Sequence, residues 1–311
     1  MPRWVKNFLY KIYNRIHYPD MKGKKCHFGD ENKDFIVYII RPRTDGVEGL
    51  MALFLHVMKL QSYSDKKGYL SFVDMKNYKT QYFENNENSW DYFFESKNNL
   101  TIDSAYNSKN VILSDINTFY NAPKYLDMSF KENDLLKTKE LFDKNYKFSK
   151  EVLELVNKEN ENIHVEDCIG LYLRGTDYLK MRPAGHPVQP TVEQAIEVVE
   201  NYLAKYGNHK IFLVTEDYEI YKELIHKYNN LIVVVSFDSF IHDYKSDKFI
   251  SKGYTNQLNS SVKQNGLNYM AKLILLSKCK YFIGGKTCGS WASNVFSDGF
   301  ESKYIFELGL Y

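Results

Sequence analysis

The 311-residue chain carries 41 basic and 39 acidic side chains, a net charge of +2, with 44% hydrophobic and 26% charged residues. Such a chain can bury a core in one large or two ordinary domains, which excludes wholesale disorder. Near-neutrality gives no electrostatic case for a nucleic-acid partner, and none is expected. Cys26, Cys168, Cys279 and Cys288 form no C-x-x-C pair, so neither a zinc cluster nor a disulfide framework is expected, and a reducing cytoplasmic setting fits.

No stretch reaches the length of a transmembrane helix. Residues 1–18 read as a short basic amphipathic helix, with Trp4, Phe8, Ile12 and Ile16 on one side and Lys6, Lys11 and Arg15 elsewhere. Two readings are open: packing on its own domain, or peripheral contact with a membrane surface. A strand over 35–40, the loop "RPRTDGVEG" (41–49), a helix over 49–63 and a strand over 68–75 follow. The pattern then blurs through "NSWDYFFE" (88–95), a strand over 110–114 and helical stretches near 132–158. The polar "NKENENIHVED" (157–167) reads as a linker. It divides the chain into domains 1–165, on the acceptor side, and 166–311, on the nucleotide-sugar side.

The second half is more legible. A strand over 169–174 leads into an irregular loop with Pro183, Pro187 and Pro190, then a helix from Thr191 whose T-x-x-Q start reads as a capping box with Gln194. Strands over 211–215, 231–236, 281–284 and 303–308 alternate with helices over 217–228, 266–279 and from about Gly289. Continuous apolar strands between amphipathic helices predict a parallel sheet covered on both faces. The expected fold class is α/β, with two Rossmann-like domains facing a cleft in the GT-B arrangement. Ligands bind such sheets beyond the carboxyl ends of the strands.

Five junctions carry candidate chemistry there. In "LYLRGTDY", Arg174 offers the forked donors a diphosphate needs, Gly175 permits close approach, and Asp177 is suited to orient Arg174 or accept a sugar hydroxyl. A structural Arg–Asp pair fits those residues equally well. His186 in "GHPVQPT" is suited to general-base work. In "VTEDY", Thr215, Glu216 and Asp217 end another strand; Asp217 is a natural helix cap and Glu216 a candidate for ribose or sugar hydroxyls. In "GGKTCGSW", backbone amides with Lys286, Thr287, Gly289 and Ser290 form an anion cradle, but neither a Walker A nor a G-x-G-x-x-G pattern is present. The "RPRTDGVEG" loop adds Gly46 and Gly49 for the donor, and Asp45 and Glu48 as alternative bases.

The order of these motifs, "LRGTDY", "HP", "TED" and "LILLSKCKYFIGGKTCGSW", resembles the GT-B fucosyltransferase superfamily, including bacterial α-1,2 and α-1,6 enzymes. It is also similar to glycosyltransferases of bacterial capsule and surface-polysaccharide clusters. The matching residues are Tyr172, Arg174, Gly175, Asp177 and Tyr178, then Leu276, Ser277 and Cys279, then Thr287, Ser290 and Trp291. "DGVEGLMALF" resembles the family's N-terminal glycine loop. The resemblance implies inverting, metal-independent transfer from GDP-fucose to a glycan or lipid-linked glycan acceptor, with Arg174 on the β-phosphate and the nucleotide sugar as the only small-molecule partner. The chain departs from the pattern at Tyr172, where the family has histidine, at Gly175, where it has a second arginine, and at Lys272, where it has an acidic guanine reader. Lys272 leaves a UDP- or CDP-linked donor open, and a non-catalytic nucleotide- or glycan-binding module is the alternative from another class.

Overall fold

The computed structural model describes residues 3–17, 22–42, 48–115, 126, 128–242, 244 and 261–311. The chain forms two compact units, Met1–Ser149 and Lys150–Tyr311. In the first, helix α1 (Arg3–His17) precedes β1 (Lys24–Cys26), β2 (Val37–Ile40), α2 (Leu50–Lys67), β3 (Leu70–Val73), β4 (Phe94–Ser96), α3 (Ile102–Tyr106), β5 (Val111–Leu113), α4 (Glu132–Asn145) and β6 (Tyr146–Phe148). The main sheet has the order β1-β5-β2-β3, parallel except for β1, and β4 pairs with β6 in a separate antiparallel ribbon. Every side chain of β2 is buried, as a central parallel strand covered on both faces requires. β1, β4 and β6 escape prediction because each is three residues long, too short for an alternating pattern to show.

The second unit opens with α5 (Lys150–Ile163), whose start falls in the helical stretch expected near 132–158 and whose end falls in the expected linker 157–167. Residues 157–167 are no linker: Val152, Val156 and Ile163 are buried, Glu159 accepts from the Ser236 amide and hydroxyl at 2.6 and 2.5 Å, and the helix packs on α9. The polar composition is that of a solvated face on an amphipathic helix, and the units divide at 149/150 rather than 165/166. There follow β7 (Ile169–Tyr172), α6 (Thr176–Met181), α7 (Val192–Tyr206), β8 (Ile211–Val214), α8 (Tyr218–Tyr228), β9 (Ile232–Val233), α9 (Val262–Ser277), β10 (Tyr281–Gly285), α10 (Cys288–Phe296) and β11 (Ser302–Phe306). The expected strand over 231–236 shrinks to two paired residues, and the expected irregular loop after Arg174 begins with the short helix α6.

The five strands are all parallel, ordered β11-β10-β7-β8-β9. Ile169, Leu171, Leu213 and Ile283 pack on one face with Val199 of α7 and Leu224 of α8. Each such buried aliphatic contributes about 1.5–3 kcal/mol. On β7, a Cβ at Gly170 would stand 2.7 Å from Leu276 Cδ1 and 3.0 Å from Cys279 Sγ, so glycine lets α9 lie against the strand. From β7 the chain runs outward through β8 to β9, then returns to place β10 on the other side of β7. The strand order therefore reverses between β7 and β10, and in open sheets of this kind ligands bind beyond the carboxyl ends of the strands at such a reversal.

The capping box read from sequence at Thr191 is formed: its side chain accepts from the Gln194 amide and Gln194 returns the bond. Thr191→Ala should lower unfolding stability by about 1 kcal/mol in chemical denaturation, without altering ligand binding.

Candidate functional site

Arg174 stands two residues beyond β7, at the reversal point. Its Nη2 donates to Asp177 Oδ2 at 3.1 Å, and its Nη1 lies 3.6 Å from Glu216 Oε2, an ion pair too long for a good hydrogen bond. Asp177 is 1% exposed and Arg174 20%. Burial alone would lower the guanidinium pKa, but Glu216 and Asp177 outweigh it and hold Arg174 charged. The guanidinium spends one donor on Asp177, and its other N–H groups make no hydrogen bond among the described residues. The structural pair and the ligand-binding arginine are therefore compatible in one side chain.

The backbone around it is forced. Thr176, β-branched, sits at φ 41°, a conformation that costs on the order of 1–3 kcal/mol and persists only where neighbours impose it. Its amide donates to Asp217 Oδ2 at 2.8 Å and its hydroxyl to Glu216 Oε1 at 2.9 Å, while the Gly175 amide donates to the same Glu216 oxygen at 3.0 Å. Asp217 also caps α8 through the amides of Glu219 and Ile220. Thr215 is buried, and its hydroxyl accepts from the Asp217 amide. Glu216 and Asp217 thus tie the end of β8 to the end of β7. A Cβ on Gly175 would fall 2.5 Å from Asp217 Cβ and 2.4 Å from its Oδ2, which explains a glycine where the resembling family has arginine.

On the other side of β7, Thr287 and Ser290 form a reciprocal capping box at the start of α10. Ser290 is fully buried and its hydroxyl donates to Gly285 O at 2.5 Å, so it serves the turn instead of the cradle rim. Lys286 is likewise drawn off, its Nζ 2.6 Å from Glu307 Oε1. Gly289 is buried, and its lack of a side chain is required: a Cβ there would lie 2.5 Å from the hydroxyls of both Tyr172 and Tyr269, themselves 3.4 Å apart. Burial raises the Tyr172 pKa against the opposing pull of Arg174, so this hydroxyl stays protonated.

His186 joins the cluster through Tyr178. Its Nδ1 is 3.3 Å from the Tyr178 hydroxyl, and Arg174 Cζ lies 5.4 Å from the Tyr178 ring centre. Burial raises the Tyr178 pKa, Arg174 opposes it, and Cys288 and Asp177 add to the rise. The His186 loop is anchored by Tyr311, whose amide donates to His186 O and whose carbonyl accepts from the Gly185 amide, and by Gln189 Nε2, which donates to Lys286 O.

Sequence reasoning gives Tyr178 no role beyond its place in the resembling motif, and misses Tyr269, which looks like an ordinary aromatic of the amphipathic helix over 266–279. It also misses the partner of Lys272: Nζ lies 2.8 Å from Asp238 Oδ1, with the two side chains 14% and 2% exposed. Asp238 Oδ2 is buried without a hydrogen-bond partner among the described residues. Lys272 is one helical turn from Tyr269 on α9, and its carboxylate partner is supplied from after β9.

In the first unit, Gly46 and Asp45 lie outside the described residues, as does most of the polar stretch 237–264 that reads from sequence as an acceptor loop. Gly49 precedes α2 with nothing within 4 Å of where a Cβ would stand, and the Glu48 carbonyl accepts from Gln81 Nε2 at 2.6 Å. Arg41, beyond β2, is buried, and its guanidinium donates to the carbonyls of Lys22 and Ser114.

No family model and no curated sequence matches the chain. Among solved structures, it is similar to the NodZ α-1,6-fucosyltransferase soaked with GDP-fucose, with TM-score 0.50 and 13% identity over 84% of this chain and 92% of that one. The chain has a GT-B fucosyltransferase-like fold. The NodZ fucosyltransferase from Bradyrhizobium gives TM-score 0.49 at 13% identity over 86% and 94% of the two chains. A variant of Arabidopsis thaliana FUT1 in complex with GDP gives 0.45 at 11% over 96% and 74%. The fold assignment rests on the first of these.

Gly175→Ala should lower stability by about 1–3 kcal/mol, because Asp217 Cβ cannot swing away as a side-chain tip would. Gly49→Ala, with nothing in reach of its Cβ, should change stability by less than about 0.5 kcal/mol in the same denaturation assay.

Proposed function

We propose that this protein is an inverting glycosyltransferase that uses a nucleoside diphosphate sugar, GDP-fucose by preference, and transfers the sugar to a hydroxyl of a bacterial surface glycan. The observation that carries the reading is Arg174: a charged guanidinium with uncommitted donors, held at the strand-order reversal of a GT-B-like fold. The β-phosphate would accept from Arg174 and from the Gly289 amide, which makes no hydrogen bond among the described residues. No step of this scheme assigns a role to a metal ion.

In the reaction, the acceptor oxygen forms a bond to the anomeric carbon as the bond from that carbon to the diphosphate oxygen breaks. The leaving diphosphate keeps the electron pair, and Arg174 meets the charge that develops on it. The acceptor proton goes to His186 Nε2, which requires the tautomer whose Nδ1–H donates to the Tyr178 oxygen. Glu48 and Asp45 are the other candidate bases. Asp238 neutralises Lys272, so the lysine is no free cation that would select against guanine.

A thermal-shift panel of GDP, UDP, CDP and the monophosphates, followed by a GDP-fucose turnover assay, tests the reading. GDP at a hundredfold excess over its Kd should raise stability by about 2.7 kcal/mol. A response to UDP or CDP alone would keep the transferase and discard fucose; no response to any diphosphate would favour a binding module. Arg174→Ala should lower turnover by roughly 100-fold or more. Because that variant also strands buried Asp177, Arg174→Lys, which keeps the charge and loses the fork, should show a comparable loss with the fold intact.

A further inference from the structure

Helix α1 has an apolar face that faces solvent. Phe8, Leu9, Ile12, Tyr13 and Ile16 are between 41% and 67% exposed. At 100° per residue these five fall within one arc of about 140°. Lys11 and Arg15 lie on one flank of that arc and His17 on the other. The α1 sequence holds Arg3, Lys6, Lys11 and Arg15 and no acidic residue. Lys22, Lys24 and Lys25 follow, so the first 25 residues hold seven Lys and Arg against the single Asp20, in a chain whose net charge is only +2. No helix among the described residues is long and apolar enough to cross a membrane.

We propose that α1 is an interfacial anchor that lays its apolar face into an anionic phospholipid surface, with the flanking basic residues against the headgroups. The charge argues for this occupant. A second copy of the chain would bring another strongly basic segment to the same face, and repulsion would oppose the pairing, whereas anionic headgroups complement every basic residue on the flanks. Large apolar side chains exposed together on one helix are unusual for a free surface. The inference stands on α1 alone and does not depend on the transferase reading.

The test is co-sedimentation of the full chain with phosphatidylcholine vesicles with and without 30–40% phosphatidylglycerol, a range of roughly physiological anionic charge. The wild type should bind the anionic vesicles at least about tenfold more than the neutral ones, and binding should weaken as salt is raised. Ile12→Asp with Ile16→Asp should lower binding by about tenfold or more, at unchanged unfolding stability because both side chains are exposed. Lys11→Glu with Arg15→Glu should abolish the preference for anionic lipid while leaving the apolar face intact. Equal sedimentation of wild type and the Asp variant would overturn the proposal. So would light scattering showing a wild-type dimer that the Asp variant dissolves, with no vesicle binding by either.

Discussion

Three carboxylates and one guanidinium meet where β7 and β8 end, and the geometry of the second unit depends on how their charges are satisfied. Asp177 is matched by Arg174 and by the Tyr178 amide. Glu216 takes the Gly175 amide, the Thr176 hydroxyl and the weaker pull of Arg174. Asp217 takes the Thr176 amide and caps α8. Two of the carboxylates are thus satisfied largely by backbone and hydroxyl donors, which is why Arg174 is not consumed by them. The cost is the positive φ at Thr176 and the requirement for glycine at 175. Strain held by three carboxylates is an expensive way to end a strand, and it makes sense where the arginine must keep a fixed aim.

Around this cluster the strand order does the rest. Reversal between β7 and β10 brings the amide end of α10 to the same sheet edge as Arg174, with Gly289 leaving room for the hydroxyls of Tyr172 and Tyr269. Tyr172 stands at the position where the resembling family has histidine; protonated and buried, it offers a hydrogen-bond donor without a titrating charge. In the first unit the chain leaves β2 through Arg41, whose guanidinium is spent on the carbonyls of Lys22 and Ser114, so that arginine closes backbone groups.

Much of the second unit was legible in the sequence because its strands are uninterrupted apolar runs and its helices begin with strong caps at Thr191, Asp217 and Thr287. The first unit was less so: its shortest strands carry no period, and the polar face of α5 reads as a linker when the buried Val152, Val156 and Ile163 are not known to face one partner. In the site, strand-end residues were found by position alone, since topology places them together. What position could not show was side-chain commitment. Ser290 and Lys286 look like phosphate ligands in sequence, yet one is bonded within its own turn and the other paired with Glu307. Lys272 looks like the loss of a carboxylate, and only the fold brings Asp238 to it across 34 residues of chain.

The central claim is that Arg174 recognises the second phosphate of a nucleotide. Calorimetric titration of GDP and GMP into wild type and Arg174→Lys measures that recognition directly. The account predicts that the wild type binds GDP at least about tenfold more tightly than GMP, and that the lysine variant, having lost the forked donors, loses most of that preference. A variant that kept the full preference, or a wild type that bound both alike, would contradict it.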